Sequence, residues 1–199
     1  STVVGKAEDE VVDENHPEKP LDMYSANKGV AEKYYRIYHR FYGIKTVVLR
    51  LSNLYGPFGK GSPEYGFVNY FISLADQDKE IQVFGKGEQI RNVTYVEDAA
   101  EILWQASRHQ GLLGGIYFAT GPYHLSLTEI AETIVRVFEK GKVIHVPWPE
   151  DRLRMEVESV KFSSEKIRAV TGWQARYDFE AGLQKTKAMM RHLTLGTKT

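Results

Sequence analysis

The chain has 199 residues, 42% hydrophobic and 26% charged, with 26 Lys and Arg against 26 Asp and Glu and no cysteine. That length and apolar share suffice for one domain or one and a fraction, which excludes a disordered or collagen-like chain. Zero net charge argues against a nucleic-acid or membrane partner, and the lack of cysteine excludes disulfides, thiolate zinc sites and a cysteine nucleophile, a profile that fits a cytoplasmic protein.

Residues 1 to 5 read as a strand-like stub, and 6 to 20 as a charged loop with two prolines. From Asp22 to Tyr42, Met23, Ala26, Val30, Ala31, Tyr34, Tyr35 and Tyr38 recur at helical spacing, and Gly43 supplies a stop. This predicts a helix of about five turns. Residues 45 to 51 are apolar and β-branched without alternation, which suits a strand buried on both faces of a parallel sheet. A Gly- and Pro-rich loop follows from Tyr55 to Pro63.

Further helices are expected over 66 to 75, 96 to 108, 126 or 128 to 140, 163 to 170 and 179 to 191. Strands are expected over 82 to 84, 115 to 119 and 142 to 146, with a turn at 85 to 87. Alternating strands and helices without repeats predict an α/β fold: a partial Rossmann-type parallel sheet with helices, plus a small mixed α/β substrate-binding domain. The expected division is 1 to 60 for the truncated cofactor-binding part and 61 to 199 mainly for the substrate domain, with some segments returning to the first.

Tyr24 and Lys28 stand one helical turn apart, so both project from one face. A phenol of ordinary pKa about 10 is a poor base at neutral pH, but a neighbouring ammonium favours the phenolate. Taken alone the spacing is equally that of an ordinary surface helix.

The surrounding residues carry more. Tyr24-Ser25-Ala26-Asn27-Lys28, then Arg50-Leu51-Ser52-Asn53-Leu54-Tyr55-Gly56-Pro57, Phe84-Gly85-Lys86-Gly87, Arg91-Asn92-Val93-Thr94-Tyr95-Val96-Glu97-Asp98 and Gly172-Trp173 follow in order. This series closely resembles the extended short-chain dehydrogenase/reductase family, in its branch of NAD-dependent nucleotide-sugar epimerases and dehydratases typified by UDP-glucose 4-epimerase.

The resemblance implies roles residue by residue. Tyr24 would be the acid/base on a sugar hydroxyl, and Lys28 would hold the nicotinamide ribose of NAD and depress the phenol's pKa. Leu51 and Ser52 would border the nicotinamide. Asn53, Arg91 and Arg154 would contact the substrate diphosphate, with Arg152 competing for the last role. Phe84 would pack on the nucleobase, and backbone groups of Gly66, Phe67 and Val68 would meet it. Asp98 would brace the helix it opens.

Departures matter as well. Asn92 stands where the family commonly has Asp, and Val4 where it commonly has Tyr. Counting back from Gly5 puts the family's catalytic Ser or Thr just before Ser1, so Ser1 is a candidate only if the register shifts. The acidic residues that dehydratases and decarboxylases carry after that hydroxyl are replaced by Ser1 and Thr2, which favours an epimerase. A dehydratase or decarboxylase, and a non-catalytic nucleotide-sugar-binding module, are the alternatives.

The family's Gly-rich turn, with its acidic residue about twenty positions on, has no counterpart in these residues. The expectation is therefore a C-terminal part of an enzyme, inactive alone and lacking tight NAD binding, with a UDP-sugar as substrate. The resemblance also implies a homodimer through the Tyr24 helix.

Overall fold

The computed structural model describes residues 2–7, 9–149 and 159–196. In chain order the elements are α1 (Met23–Tyr42), β1 (Val48–Leu51), β2 (Asn53–Tyr55), α2 (Phe67–Asp76), β3 (Glu80–Phe84), β4 (Ile90–Tyr95), α3 (Val96–Arg108), β5 (Ile116–Ala119), β6 (His124–Ser126), α4 (Leu127–Phe138), β7 (Lys142–Val146), α5 (Glu165–Thr171) and α6 (Phe179–Gly196). The fold is mixed α/β, with parallel pairing of β1 with β5, β2 with β4 and β3 with β7, and antiparallel pairing of β4 with β6.

Local chemistry explains the helix ends. The Asp22 carboxylate accepts from the Ser25 N–H at 2.6 Å and opens α1, while Gly43 closes it at a φ of 68°. Ser126 and Glu129 form a reciprocal capping box at the start of α4.

Among the described residues, three apolar clusters position the rest. The largest joins α2, α4 and α6 to β3 and β4 through Phe71, Ile81, Ile130, Ile134 and Leu183. A second sets Ile102, Leu112, Tyr117, Ile167 and Trp173 on one face of β5. A third sets Val3, Val4, Val12 and Val160 around Phe118 on the other face. Each fully buried Ile, Leu or Phe contributes about 1.5–3 kcal/mol.

The stub at the start is a 3₁₀ turn, Thr2–Val4, which turns Val3 and Val4 into the third cluster instead of pairing with a neighbour. It is β5, with Tyr117, Phe118 and Ala119 all buried, that is covered on both faces. In β1 only Arg50 is buried, because among the described residues one edge of that strand has no partner. Strands β2, β4 and β6 are additional to the sequence expectation. The Asp98 carboxylate accepts the N–H groups of Arg176 at 2.9 Å and Tyr177 at 3.2 Å, so it fastens the segment leading to α6 rather than its own helix.

Candidate active site

The site is built around a fork between strands. Residues 48 to 55 run as one extended stretch, but β1 pairs with β5 and β2 pairs with β4, so the partner changes at Ser52. A crevice beyond strand ends, where neighbours diverge, is the usual ligand position in open α/β sheets. Two buried polar side chains of β4 hold the fork. Asn92 donates through Nδ2 to the carbonyls of Gly121 at 2.6 Å and Tyr123 at 2.9 Å. Thr94 Oγ1 accepts from Gly121 N–H at 2.7 Å and lies 2.7 Å from Ser52 Oγ. An ionised Asp at position 92 has no proton to donate to these carbonyls.

Helix α1 lies beside β1 and is fastened to it by charge. Its inward stripe is Ser25, Gly29 and Glu32, and Glu32 meets the buried Arg50 guanidinium at 2.7 Å from Nη2 and 3.0 Å from Nε. Glu18 adds a contact to Arg50 at 3.3 Å. Tyr24 and Lys28 flank that inward stripe. The Lys28 ammonium stands 5.3 Å from the centroid of the Tyr24 ring, and the phenol is 62% exposed, so both groups are open to a ligand.

The other residues named from sequence are placed as follows. Leu51 is half-buried against the second cluster, and Ser52 sits at the fork. Asn53 opens β2 and donates through Nδ2 to the Asn92 carbonyl at 2.9 Å, which ties it to the strand carrying Arg91. Arg91 is half-buried on β4, with Nη1 donating to the Ile90 carbonyl at 2.9 Å. Phe84 ends β3, and its ring centroid lies 5.3 Å from that of Trp148.

Gly66 precedes α2 at a φ of 122°, Phe67 packs edge-on to Phe71 at 5.6 Å, and the Val68 side chain is in the core, leaving only its backbone to a ligand. Ser1, Arg152 and Arg154 lie outside the described residues. Sequence reasoning did not find Thr94, Trp148 or the Glu32–Arg50 pair, because each acts through a contact with a residue distant in the chain.

Residues 1–118 match the model of the NAD dependent epimerase/dehydratase family. The chain belongs to that family. It is 31% identical over 183 residues to a Methanocaldococcus jannaschii protein provisionally assigned as a UDP-glucose 4-epimerase, covering 91% of this chain and 57% of that protein. It is 32% identical over 187 residues to the dTDP-glucose 4,6-dehydratase of Neisseria meningitidis, covering 89% of this chain and 52% of that one.

Among solved structures, the Thermus thermophilus UDP-glucose 4-epimerase in complex with NAD superposes with a TM-score of 0.83 at 26% identity, over 96% of this chain and 61% of that one. The chain thus spans little more than half the length of these family members.

The donor set fits part of NAD. By their chemistry, the exposed Tyr24 hydroxyl and Lys28 ammonium suit the hydroxyls of a nicotinamide ribose, and Leu51 and Ser52 form a half-buried strand end. The Gly-rich loop between β2 and α2 does not offer a pyrophosphate cradle. A Cβ at Gly59 would lie 2.3 Å from the Asn69 side chain and one at Gly61 would lie 2.5 Å from Ser73, so the loop is packed down on α2. No helix of the described residues is long and apolar enough to cross a membrane.

Proposed function

We propose that this chain carries the acid/base pair and the substrate cleft of an NAD-dependent nucleotide-sugar epimerase, most simply one acting on a UDP-sugar. The observation that supports it is the Tyr24–Lys28 pair, exposed on a helix that the Arg50–Glu32 contact holds beside the fork. The Tyr24 side chain, as phenolate, takes the proton from a sugar hydroxyl, holds it as the phenol and later returns it to the sugar oxygen, with the Lys28 ammonium beside the ring throughout. NAD, when bound, supplies a reversible hydride acceptor.

Asn53 and Arg91 hold the diphosphate, Arg91 by its permanent charge and planar donor fork, while Phe84 faces the base. In this reading residues 1 to 60 complete the cofactor side and most of 61 to 199 forms the substrate side. A 4,6-dehydratase of the same family is the second reading, favoured by the 32% identity to the Neisseria enzyme.

Incubation of the protein with NAD and UDP-galactose or UDP-glucose, followed by chromatography of the sugar nucleotides, separates these. Interconversion of the two supports the epimerase, and a 4-keto-6-deoxy product supports the dehydratase. Nucleotide-sugar binding with neither product is the result expected of these residues alone, and absence of nucleotide-sugar binding overturns the reading.

A further inference from the structure

Two hydroxyls and an amide form a relay at the fork. The Gly121 N–H donates to Thr94 Oγ1 at 2.7 Å, and Thr94 Oγ1 lies 2.7 Å from Ser52 Oγ. Thr94 is buried, with 1% exposure, whereas Ser52 is half-buried. Gly121 is held in place by the Asn92 amide at its carbonyl, and a Cβ there would come 2.5 Å from the Val93 carbonyl oxygen. Only glycine permits that approach.

Each hydroxyl has one proton to place. Among the described residues, Ser52 Oγ is the only acceptor bonded to the Thr94 hydroxyl. Were Ser52 the donor instead, the Thr94 proton would be buried without an acceptor, an arrangement disfavoured about tenfold or more.

We propose that Thr94 donates to Ser52 and is thereby the positioning residue that leaves the Ser52 hydroxyl proton directed outward, as a donor to an oxygen acceptor on the ligand at the fork. The direction of the relay stands on the geometry; the ligand rests on the proposed function. Because Thr94 itself accepts from Gly121, each link polarises the next and strengthens the terminal donor. A nicotinamide carboxamide oxygen and a sugar oxygen present the same acceptor chemistry.

Proton NMR of the 199-residue chain reads the relay directly. The expected pattern is a slowly exchanging Thr94 hydroxyl proton close to the Ser52 β-protons, with the Ser52 hydroxyl exchanging freely with water. The reverse pattern overturns the proposal.

NAD and UDP-glucose are then titrated separately into the millimolar range, with the amide signals of Asn53 and Arg91 reporting occupancy. Slowed exchange at Ser52 with one ligand assigns the acceptor to it. Thr94→Val should weaken that ligand about three- to tenfold, and Thr94→Ser should restore it. Occupancy with neither slowed exchange nor a Thr94→Val effect overturns the donor role. Failure of both ligands to bind overturns the proposed function and with it the ligand half of this inference, while the exchange pattern still decides the direction of the relay.

Discussion

The Arg50 guanidinium meets the Glu32 carboxylate through both Nε and Nη2, at 3.0 and 2.7 Å, and both side chains are buried between α1 and β1. Desolvating two such charges costs more than an apolar contact would, and the bidentate geometry offsets part of that cost. Its position matters more than its net energy. It fixes the helix bearing Tyr24 and Lys28 against the strand that ends at the fork.

Removing one partner strands the other charge in the interior. Glu32→Ala is expected to destabilise the chain by about 3 kcal/mol, at the lower end for a broken buried pair because Glu18 still reaches Arg50. Glu32→Leu combined with Arg50→Met should recover much of that loss. Urea midpoints of the three proteins measure it, and a double variant no more stable than Glu32→Ala would show that the charge itself is not the cause.

The helices were legible because their ends carry chemistry. Asp22 and Gly43 bound α1, Ser126 caps α4, and the span 96 to 108 agrees with α3 residue for residue. Strand β4 was hidden because Arg91, Asn92 and Thr94 interrupt its apolar residues. Their reason is the fork, where Asn92 reaches residues 121 and 123 and Thr94 meets Ser52 across 42 positions. The expected burial of β1 failed for a related reason: apolar runs report what a strand would pack against, and one edge of β1 has no partner among the described residues. Motif residues such as Tyr24 and Lys28 were visible, whereas the contacts that orient them were not.

The outer face of α1 offers a second measurement. Its inward stripe is small and polar, so the large side chains point away, with Met23 79% exposed, Tyr34 59% and Tyr38 46%. Contiguous apolar surface of this kind marks an interface. The proposed partner is a second copy of the chain through the same helix. Sedimentation should show a dimer that Tyr34→Glu with Tyr38→Glu converts to monomer without loss of helical circular dichroism. A monomeric unsubstituted chain at tens of micromolar would refute it.

Acid sensitivity should centre on His124. Burial, reinforced by the Lys161 charge, holds its pKa below the ordinary 6.5, and its Nε2 accepts from the Phe162 N–H at 3.2 Å. As pH falls through 6.5 the unfolded chain takes up a proton that the folded chain resists, so acidification favours unfolding until the lower folded pKa is passed. Stability should therefore decline between pH 7.5 and 5.5 with a slope of up to about 1.4 kcal/mol per pH unit, the limit for one group. His124→Gln, which keeps an acceptor, should flatten that slope. The Glu97 carboxylate, held low chiefly by its hydrogen bond from Lys185, belongs to a more acidic range and should leave this window unchanged.

Cofactor affinity tests the partial fit. In the proposed reading the described residues provide for the nicotinamide ribose alone, and their Gly-rich loop packs onto Asn69 and Ser73. The polypeptide of 199 residues should accordingly bind NAD more weakly than micromolar. Calorimetry showing a micromolar or tighter complex would mean that the pyrophosphate has a cradle elsewhere in these residues.

The proposed acid/base pair gives the sharpest kinetic expectation. In a preparation that turns over nucleotide sugar, Tyr24→Phe removes the proton carrier and should lower kcat by about 10²–10⁴-fold, the usual range for general acid–base groups, while leaving nucleotide-sugar affinity nearly intact. Lys28→Met removes the cation 5.3 Å from the ring centroid. It should lower kcat and weaken NAD. Loss confined to kcat for Tyr24→Phe, but shared between kcat and NAD affinity for Lys28→Met, is the pattern that distinguishes an acid/base residue from a cofactor-holding one. Equal collapse of both variants in kcat and in nucleotide-sugar binding would place the pair in the structure of α1 instead of in the chemistry.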